Sequence, residues 1–227
     1  MRLAISQSNY IPWIGYFKLI ANSDVFIIYD SVQYTKNDWR NRNLIYLDNI
    51  PHYLTIPVKY SFREKLAVDQ VRLPESDWRV KHLSRIRIAY EGSKYFTSFF
   101  PQIEKIINSK TIFLSDLNYK LIHFICSELN ISTRLVRNEK FDYKLDKSQR
   151  IIDKCKELSV STYLTTPKAI NYLNFEKFRK ENIEVEIIDF NSCLQKYDQK
   201  STIFNPFVSI LDLLFLEGPI NSKNRIL

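Results

Sequence analysis

The chain opens with a short apolar run, residues 2–7 (RLAISQ), that stops at a polar segment; residues 13–22 (WIGYFKLIAN) then bring apolar side chains round at helical spacing. A second apolar run, VFIIYD at 25–30, follows within a few residues. Strand, loop, helix and strand in this order are the opening of a βαβ unit, which builds a parallel sheet. Further along, Ile45 to Leu47 and Tyr53 to Val58 flank the turn-like Asp48-Asn49-Ile50-Pro51 and predict a hairpin, with Pro57 confining the second strand to a sheet edge or its end. Residues 79–91 have a helical rhythm closed by Gly92 as a C-terminal cap, and residues 96–108 and 115–129 predict two more amphipathic helices, the second capped by Ser115-Asp116. A strand at Thr133 to Val136, a helix at 147–158, a strand at Ser161 to Leu164, a helix at 174–181 and a strand at 185–190 complete the alternation. The fold class this predicts is α/β, with an open, mostly parallel sheet, a Rossmann-like βαβ start, and a helical middle (about 75–130) packed on it. With no internal repeat and no linker rich in Pro, Gly or Ser, residues 1–227 are expected to form one domain.

Composition narrows this little. Hydrophobic residues at 45% and charged residues at 26% are those of a folded globular chain. No signal-like start and no apolar run of about 20 residues is present, so the expectation is a cytoplasmic protein without membrane insertion. Cys126, Cys155 and Cys193 stand far apart with no CxxC, which predicts buried free thiols and no metal site. The net charge of +8 suits a polyanionic partner such as a nucleotide-activated substrate, but the basic residues are dispersed and supply neither a recognition helix nor an RNP-like strand, so nucleic acid is not expected. Three glycines, Gly15, Gly92 and Gly218, exclude a glycine-rich phosphate cradle. No GxSxG is present to support a nucleophilic triad.

Candidate chemistry gathers between Gln7 and Asn43: Gln7, Asn9, Tyr10, Trp13, Tyr16, then Asp30, Gln33, Tyr34, Lys36, Trp39, Arg40, Asn41, Arg42 and Asn43. Both clusters begin where a predicted strand ends, and in an open parallel sheet ligands bind beyond the carboxyl ends of the strands. Amides fix hydroxyls, aromatic faces stack on sugar or base rings, and arginines hold phosphates. The set predicts one crevice that binds a nucleotide sugar through Gln7, Asn9, Tyr10, Trp13, Gln33, Lys36, Trp39, Asn41, Arg42 and Asn43.

Residues 7–17 (QSNYIPWIGYF), 24–34 (DVFIIYDSVQY), Lys36, Trp39, Asn41, Arg42, Asn43, LTIPV at 54–58, Lys81-His82-Leu83, Tyr163-Leu164, Phe204, Pro206, SILDLLF at 209–215 and Gly218-Pro219 together resemble the WbqC-like protein family. The resemblance implies acyl or aminoacyl transfer to the amine of a nucleotide-linked amino sugar (dTDP- or UDP-type) in O-antigen biosynthesis. The donor would be a carrier-protein or coenzyme A thioester, an aminoacyl-tRNA, or a free amino acid with ATP, and no bound cofactor is implied. The sequence departs from the family's pattern at Ser8, where proline is usual, at Ser31, which replaces the second of two acidic residues, and at Thr165-Thr166 in place of serine-glycine. A weaker likeness links YIPWIGYFKLI to the HxGH turn of nucleotidylyltransferase-type folds, with Trp13 and Tyr16 at the histidine positions.

Acyl transfer to an amine needs a base. Asp30, at a strand end, and His82, within a family-like stretch, are the catalytic candidates, while Asp212 inside an apolar run is expected to pair with Arg42, Lys36 or a helix terminus. The rival reading is a sugar-nucleotide-binding or scaffold protein without catalysis, favoured by Ser31 and the missing nucleophile. An aromatic content of 14% leaves room for a homodimer patch.

Overall fold

A computed structural model describes residues 1–60, 64–137 and 139–227. Its centre is a five-stranded, all-parallel sheet formed by β1 (Arg2–Ser6), β2 (Val25–Ile28), β5 (Arg134–Arg137), β6 (Thr162–Thr165) and β7 (Glu184–Ile187), in the order β5-β2-β1-β6-β7. The two remaining strands, β3 (Arg42–Leu47) and β4 (Ile50–Thr55), make a separate antiparallel hairpin. The α/β expectation and its parallel βαβ start therefore hold.

The alternation of side chains along β1 and β2 explains the layers. Ala4, Phe26 and Ile28 belong to one apolar cluster; their neighbours Leu3, Val25 and Ile27 belong to another. Both faces of the sheet are thus apolar, which is why its strands read as unbroken hydrophobic runs. The larger cluster takes in α1 (Ile14–Ala21), α2 (Trp78–Tyr90), α3 (Phe96–Ile107), α4 (Leu114–Glu128) and α7 (Ile210–Ile226); the smaller is covered by α5 (Lys147–Glu157) and α6 (Phe175–Lys180).

Local departures from expectation have local causes. The hairpin begins at Arg42, earlier than the apolar pattern predicts, because Asn41 at its foot accepts from the Ile56 amide through its carbonyl and donates from its carboxamide to the Ile56 carbonyl. Asp48 and Asn49 form the turn with φ of 49° and 66°, the left-handed pair that a two-residue hairpin loop requires, and Pro57 falls beyond β4. Gly92 is not a left-handed cap: α2 ends at Tyr90, with Glu91 still in helical geometry. Helix α4 starts one residue before the expected Ser115-Asp116 cap, with Phe113 at the N-cap, and Asp116 is drawn off to pair with Arg137 at 2.6 Å.

Asp212 is fully buried, and its partners are hydroxyls instead of the expected cations: Tyr90 and Tyr197 each donate to it at 2.8 Å. Arg42 lies over the Tyr53 ring of the hairpin and Lys36 is exposed. Burial raises the Asp212 carboxyl above its ordinary value, and the hydroxyl donors, with the charge of Lys200, counter this in part. The C-terminus of α7 is met by Lys18 of α1, whose buried ammonium donates to the Ile226 carbonyl at 3.1 Å, where the helix dipole favours a positive charge.

Helix α7 is kinked at Gly218, with φ 77° and ψ −179°, and a Cβ there would lie 2.6 Å from the Tyr95 ring. This region of backbone space is almost closed to other residues. Gly218→Ala is expected to lower stability by about 1–3 kcal/mol, read as a reduced midpoint of urea denaturation; an unchanged midpoint would mean the kink carries no strain.

Candidate functional site

The strand order locates the site before any side chain does. From β1 the chain crosses by α1 to β2 on one side, and by way of α5 it later returns to β6 on the other. The carboxyl ends of β1 and β6, at Ser6 and Thr165, therefore diverge, leaving the crevice in which doubly wound folds bind ligands. A cavity of about 470 Å³ opens there, a size within the roughly 300–1,000 Å³ typical of small-molecule sites.

Its walls come from four stretches of chain. Ser6, Asn9, Trp13 and Tyr16 belong to the connection from β1 into α1, Trp39 and Asn43 to the approach to the hairpin, Thr166, Pro167 and Lys168 follow β6, and Phe190 and Phe207 stand after β7 and before α7. The Trp13 ring has its centroid 5.2 Å from Phe190 and 5.1 Å from Phe207, both tilted, and Trp39 is 41% exposed at the rim. The indole can lie over the start of α1 because residue 15 is glycine: a Cβ there would sit 2.2 Å from the Trp13 ring.

The connection 7–13 is pinned on every side. Tyr16 donates its hydroxyl to the Gln7 carbonyl at 3.0 Å, Asp30 Oδ1 accepts from the Ser8 amide at 2.8 Å, and the Asn118 carboxamide donates to Ser8 Oγ at 3.2 Å. The Tyr10 amide donates to the Trp39 carbonyl at 2.9 Å, which joins the two polar clusters of the sequence. The Asn9 carboxamide, by contrast, has no hydrogen-bond partner among the described residues and faces the cavity.

Residues 7–224 match the WbqC-like protein family. The uncharacterized protein Rv1507c of Mycobacterium tuberculosis is 37% identical over 218 residues, 96% of this chain and 94% of that one. The chain belongs to the WbqC-like protein family. No solved structure matches it.

Of the ten ligand-binding residues expected from sequence, Asn9, Trp13, Trp39 and Asn43 line the cavity of this WbqC-like chain. Tyr10 is buried, its hydroxyl 2.9 Å from His82 Nδ1; Asn41 is buried at the hairpin; Gln7 offers its backbone. Gln33, Lys36 and Arg42 lie outside the cavity, Gln33 near the Tyr60 hydroxyl at 3.5 Å and Arg42 stacked on Tyr53. The single crevice predicted for both clusters is thus only half assembled. The sequence reading missed Thr166, Lys168, Phe190 and Phe207, although the rule that led to Gln7 and Asp30, to look just past strand ends, applies equally to Thr166 and Phe190.

Neither catalytic candidate reaches the cavity. Asp30 is 7% exposed, with Oδ1 on the Ser8 amide and Oδ2 buried without a partner among the described residues. Burial raises its pKa, and the hydrogen bonds from Ser8 oppose that. It faces a small recess shared with Ser31, Asp69, Arg137 and Glu139, and Ser31 accepts the Tyr143 hydroxyl on both Oγ and its carbonyl, at 2.8 and 2.7 Å. His82, 2% exposed, has its Nε2 3.2 Å from the Thr55 carbonyl, so Nε2 carries the proton and Nδ1 accepts from Tyr10. Both nitrogens are occupied and burial pushes the imidazole down to about 4, which makes His82 a neutral tie between α2, β4 and the 7–13 connection and corrects its expected role as a base. The two histidine positions of the HxGH likeness, Trp13 and Tyr16, do face the cavity, but as an indole and a phenol bonded to Gln7 they can hold no phosphate charge. Cys126, Cys155 and Cys193 are buried and free, as expected, and burial pushes the first two thiols up to about 12 and the third to about 11.

The imidazole's depressed pKa has a sign. Neutral His82 contributes stability above its ordinary value of 6.5, and that contribution is lost as pH falls from 6.5 towards 4, because the unfolded chain takes up the proton first. Buried Asp30 and Asp212, with raised values, run the opposite way, so the histidine is isolated by difference. Wild type minus His82→Leu is expected to lose up to roughly 3 kcal/mol of unfolding free energy between pH 6.5 and 4, as measured by urea denaturation. A difference independent of pH would contradict the buried neutral assignment.

Proposed function

We propose that the cavity between β1 and β6 binds a nucleotide-linked amino sugar, of the dTDP or UDP type, and that the protein transfers an acyl or aminoacyl group to the sugar's amine in surface-polysaccharide (O-antigen) biosynthesis. The observation that carries the ligand class is the make-up of the cavity at the switch point: aromatic faces from Trp13, Phe190, Phe207 and Trp39, a carboxamide at Asn9 without a partner among the described residues, and an ammonium at Lys168. Aromatic faces stack on a base or sugar ring, the carboxamide takes a hydroxyl, and the ammonium answers a diphosphate. The first turn of α1, which has no side-chain cap and no acidic residue, adds the positive end of a helix dipole beside it. The pathway is what the resemblance to the WbqC-like family implies, and it enters as part of the proposal.

The chemistry fits a site that works by positioning. The amine nitrogen attacks the carbonyl carbon of a thioester or aminoacyl ester; the C–N bond forms, the bond to the leaving thiol or hydroxyl breaks, and the amine's proton leaves to that group or to water. No carboxylate or imidazole lines the cavity among the described residues, so the protein's share is to hold amine and acyl carbon together, which alone can be worth several orders of magnitude in rate. The same lack of an acid–base pair favours a second reading, a binding protein of the pathway that presents the sugar nucleotide to another enzyme.

Calorimetric titration with UDP-glucosamine and dTDP-linked amino sugars tests this. Binding is expected in wild type, weakened about tenfold or more by Trp13→Ala, since stacking of this kind is worth about 1–3 kcal/mol, and by Lys168→Ala, but unaffected by Arg42→Ala. N-acylated sugar nucleotide, detected by mass spectrometry after addition of an acyl thioester, distinguishes transfer from presentation. Failure of every amino sugar nucleotide to bind would remove the ligand class altogether.

A further inference from the structure

The 7–13 connection contains the chain's oddest backbone. Among the described residues, non-glycine positions with positive φ are mostly Asn and Asp at turns, as their short polar side chains allow, yet Ile11 is also there at φ 44°. A β-branched residue in the left-handed region is a strained outlier, and such strain persists only where the surroundings over-determine it. Ile11 is fully buried, in neither a hairpin turn nor a helix end, and two residues from it on either side stand Asn9 and Trp13, both cavity walls.

One side chain from another element meets both carbonyls at this turn. Asn43, near the start of β3 and 2% exposed, donates from Nδ2 to the Ile11 carbonyl at 2.7 Å and to the Tyr10 carbonyl at 3.2 Å. Its Oδ1 accepts from the Leu44 amide at 2.8 Å, which fixes which end of the carboxamide points at the strained turn. The Leu44 carbonyl takes the Ser209 amide at 2.8 Å and the Pro12 carbonyl takes the Ile210 amide at 2.9 Å, so the start of α7 clamps the far side. All donors of the Asn43 carboxamide are directed at backbone carbonyls, although the residue reaches the cavity wall.

We propose that Asn43 is a positioning residue: by holding Ile11 in the left-handed conformation it turns the chain so that the Asn9 carboxamide and the Trp13 indole face the ligand from adjacent walls. The expected role of Asn43 as a direct ligand contact is thereby replaced by one exerted through Ile11. The inference rests on the cavity being the sugar-nucleotide site, but its mechanical half stands independently of what binds.

The test uses the full chain as wild type, Asn43→Ala, Ile11→Gly and the double variant. Glycine enters the left-handed region freely, so at position 11 it removes the need for a hold. Two readouts are taken on each: amide hydrogen exchange of residues 9–13 relative to β2, and the Kd for UDP-glucosamine. Asn43→Ala is expected to speed exchange at 9–13 while leaving β2 unchanged, and to weaken UDP-glucosamine by about tenfold or more. Adding Ile11→Gly should recover most of that affinity, even though the lost isoleucine lowers the melting temperature; a merely structural asparagine would show no such rescue. Wild-type exchange at 9–13 in Asn43→Ala overturns the proposal, as does an affinity loss that glycine leaves untouched. If wild type itself binds no UDP-glucosamine while exchange responds as expected, the ligand class has failed and the hold on Ile11 has not.

Discussion

The structure depends on burying β1 between two parallel neighbours that lie on opposite sides of it. Leu3 and Ala4 are fully inaccessible, as are Phe26 and Ile27 beside them, and side chains of this kind each contribute about 1.5–3 kcal/mol on leaving water. A strand buried on both faces needs helices above and below, so α1 and α7 pack on one face while α5 and α6 pack on the other. Because parallel neighbours must be reached by crossover, the chain leaves β1 in one direction early and returns in the other late. The gap at Ser6 and Thr165 is the geometric consequence, and the cavity is what fills it.

Polar groups around this gap divide into those that build it and those that face it. Asp30, Asn41, Asn43, His82 and Asn118 are all nearly inaccessible and bond to backbone or to one another. Their burial is tolerated because each meets at least one partner, and together they hold a loop that propensity alone would not form. Asn9, Trp13, Trp39 and Lys168 remain for a ligand. The division explains why so many amides occur in so short a stretch: most of them serve the loop, and through it the few that face outward.

Much of the fold was legible because it is written locally. The apolar runs of β1 and β2, the helical spacing of α1 between them and the alternation after Thr133 each carry their own period. Sheet order is another matter. Nothing in the residues around Thr162 says that β6 pairs with β1 and not with β5, yet that pairing brings Lys168 to Trp13 across more than half the chain. The site was therefore legible in its first half, Asn9 to Asn43, and not in Thr166, Lys168, Phe190 or Phe207. Within the first half the errors share a cause: an asparagine that pins a carbonyl and one that awaits a hydroxyl look alike in sequence, and Asn43 and Asn9 differ only in what surrounds them. His82 and Asp30 were misjudged on the same ground, since burial decides whether a titratable group can exchange a proton and a strand end does not reveal depth.

The chain is a WbqC-like protein of α/β fold whose switch-point cavity is aromatic, amide-bearing and basic on one wall, and a sugar nucleotide is the ligand proposed for it. The most direct measurement is amide hydrogen exchange across the whole chain with and without saturating UDP-glucosamine. The account predicts protection confined to residues 9–16 and 166–168, with Phe190 and its neighbours following and the hairpin turn at Asp48-Asn49 unchanged. Protection centred elsewhere, or none at saturation, would contradict the placement of the ligand at the β1–β6 gap.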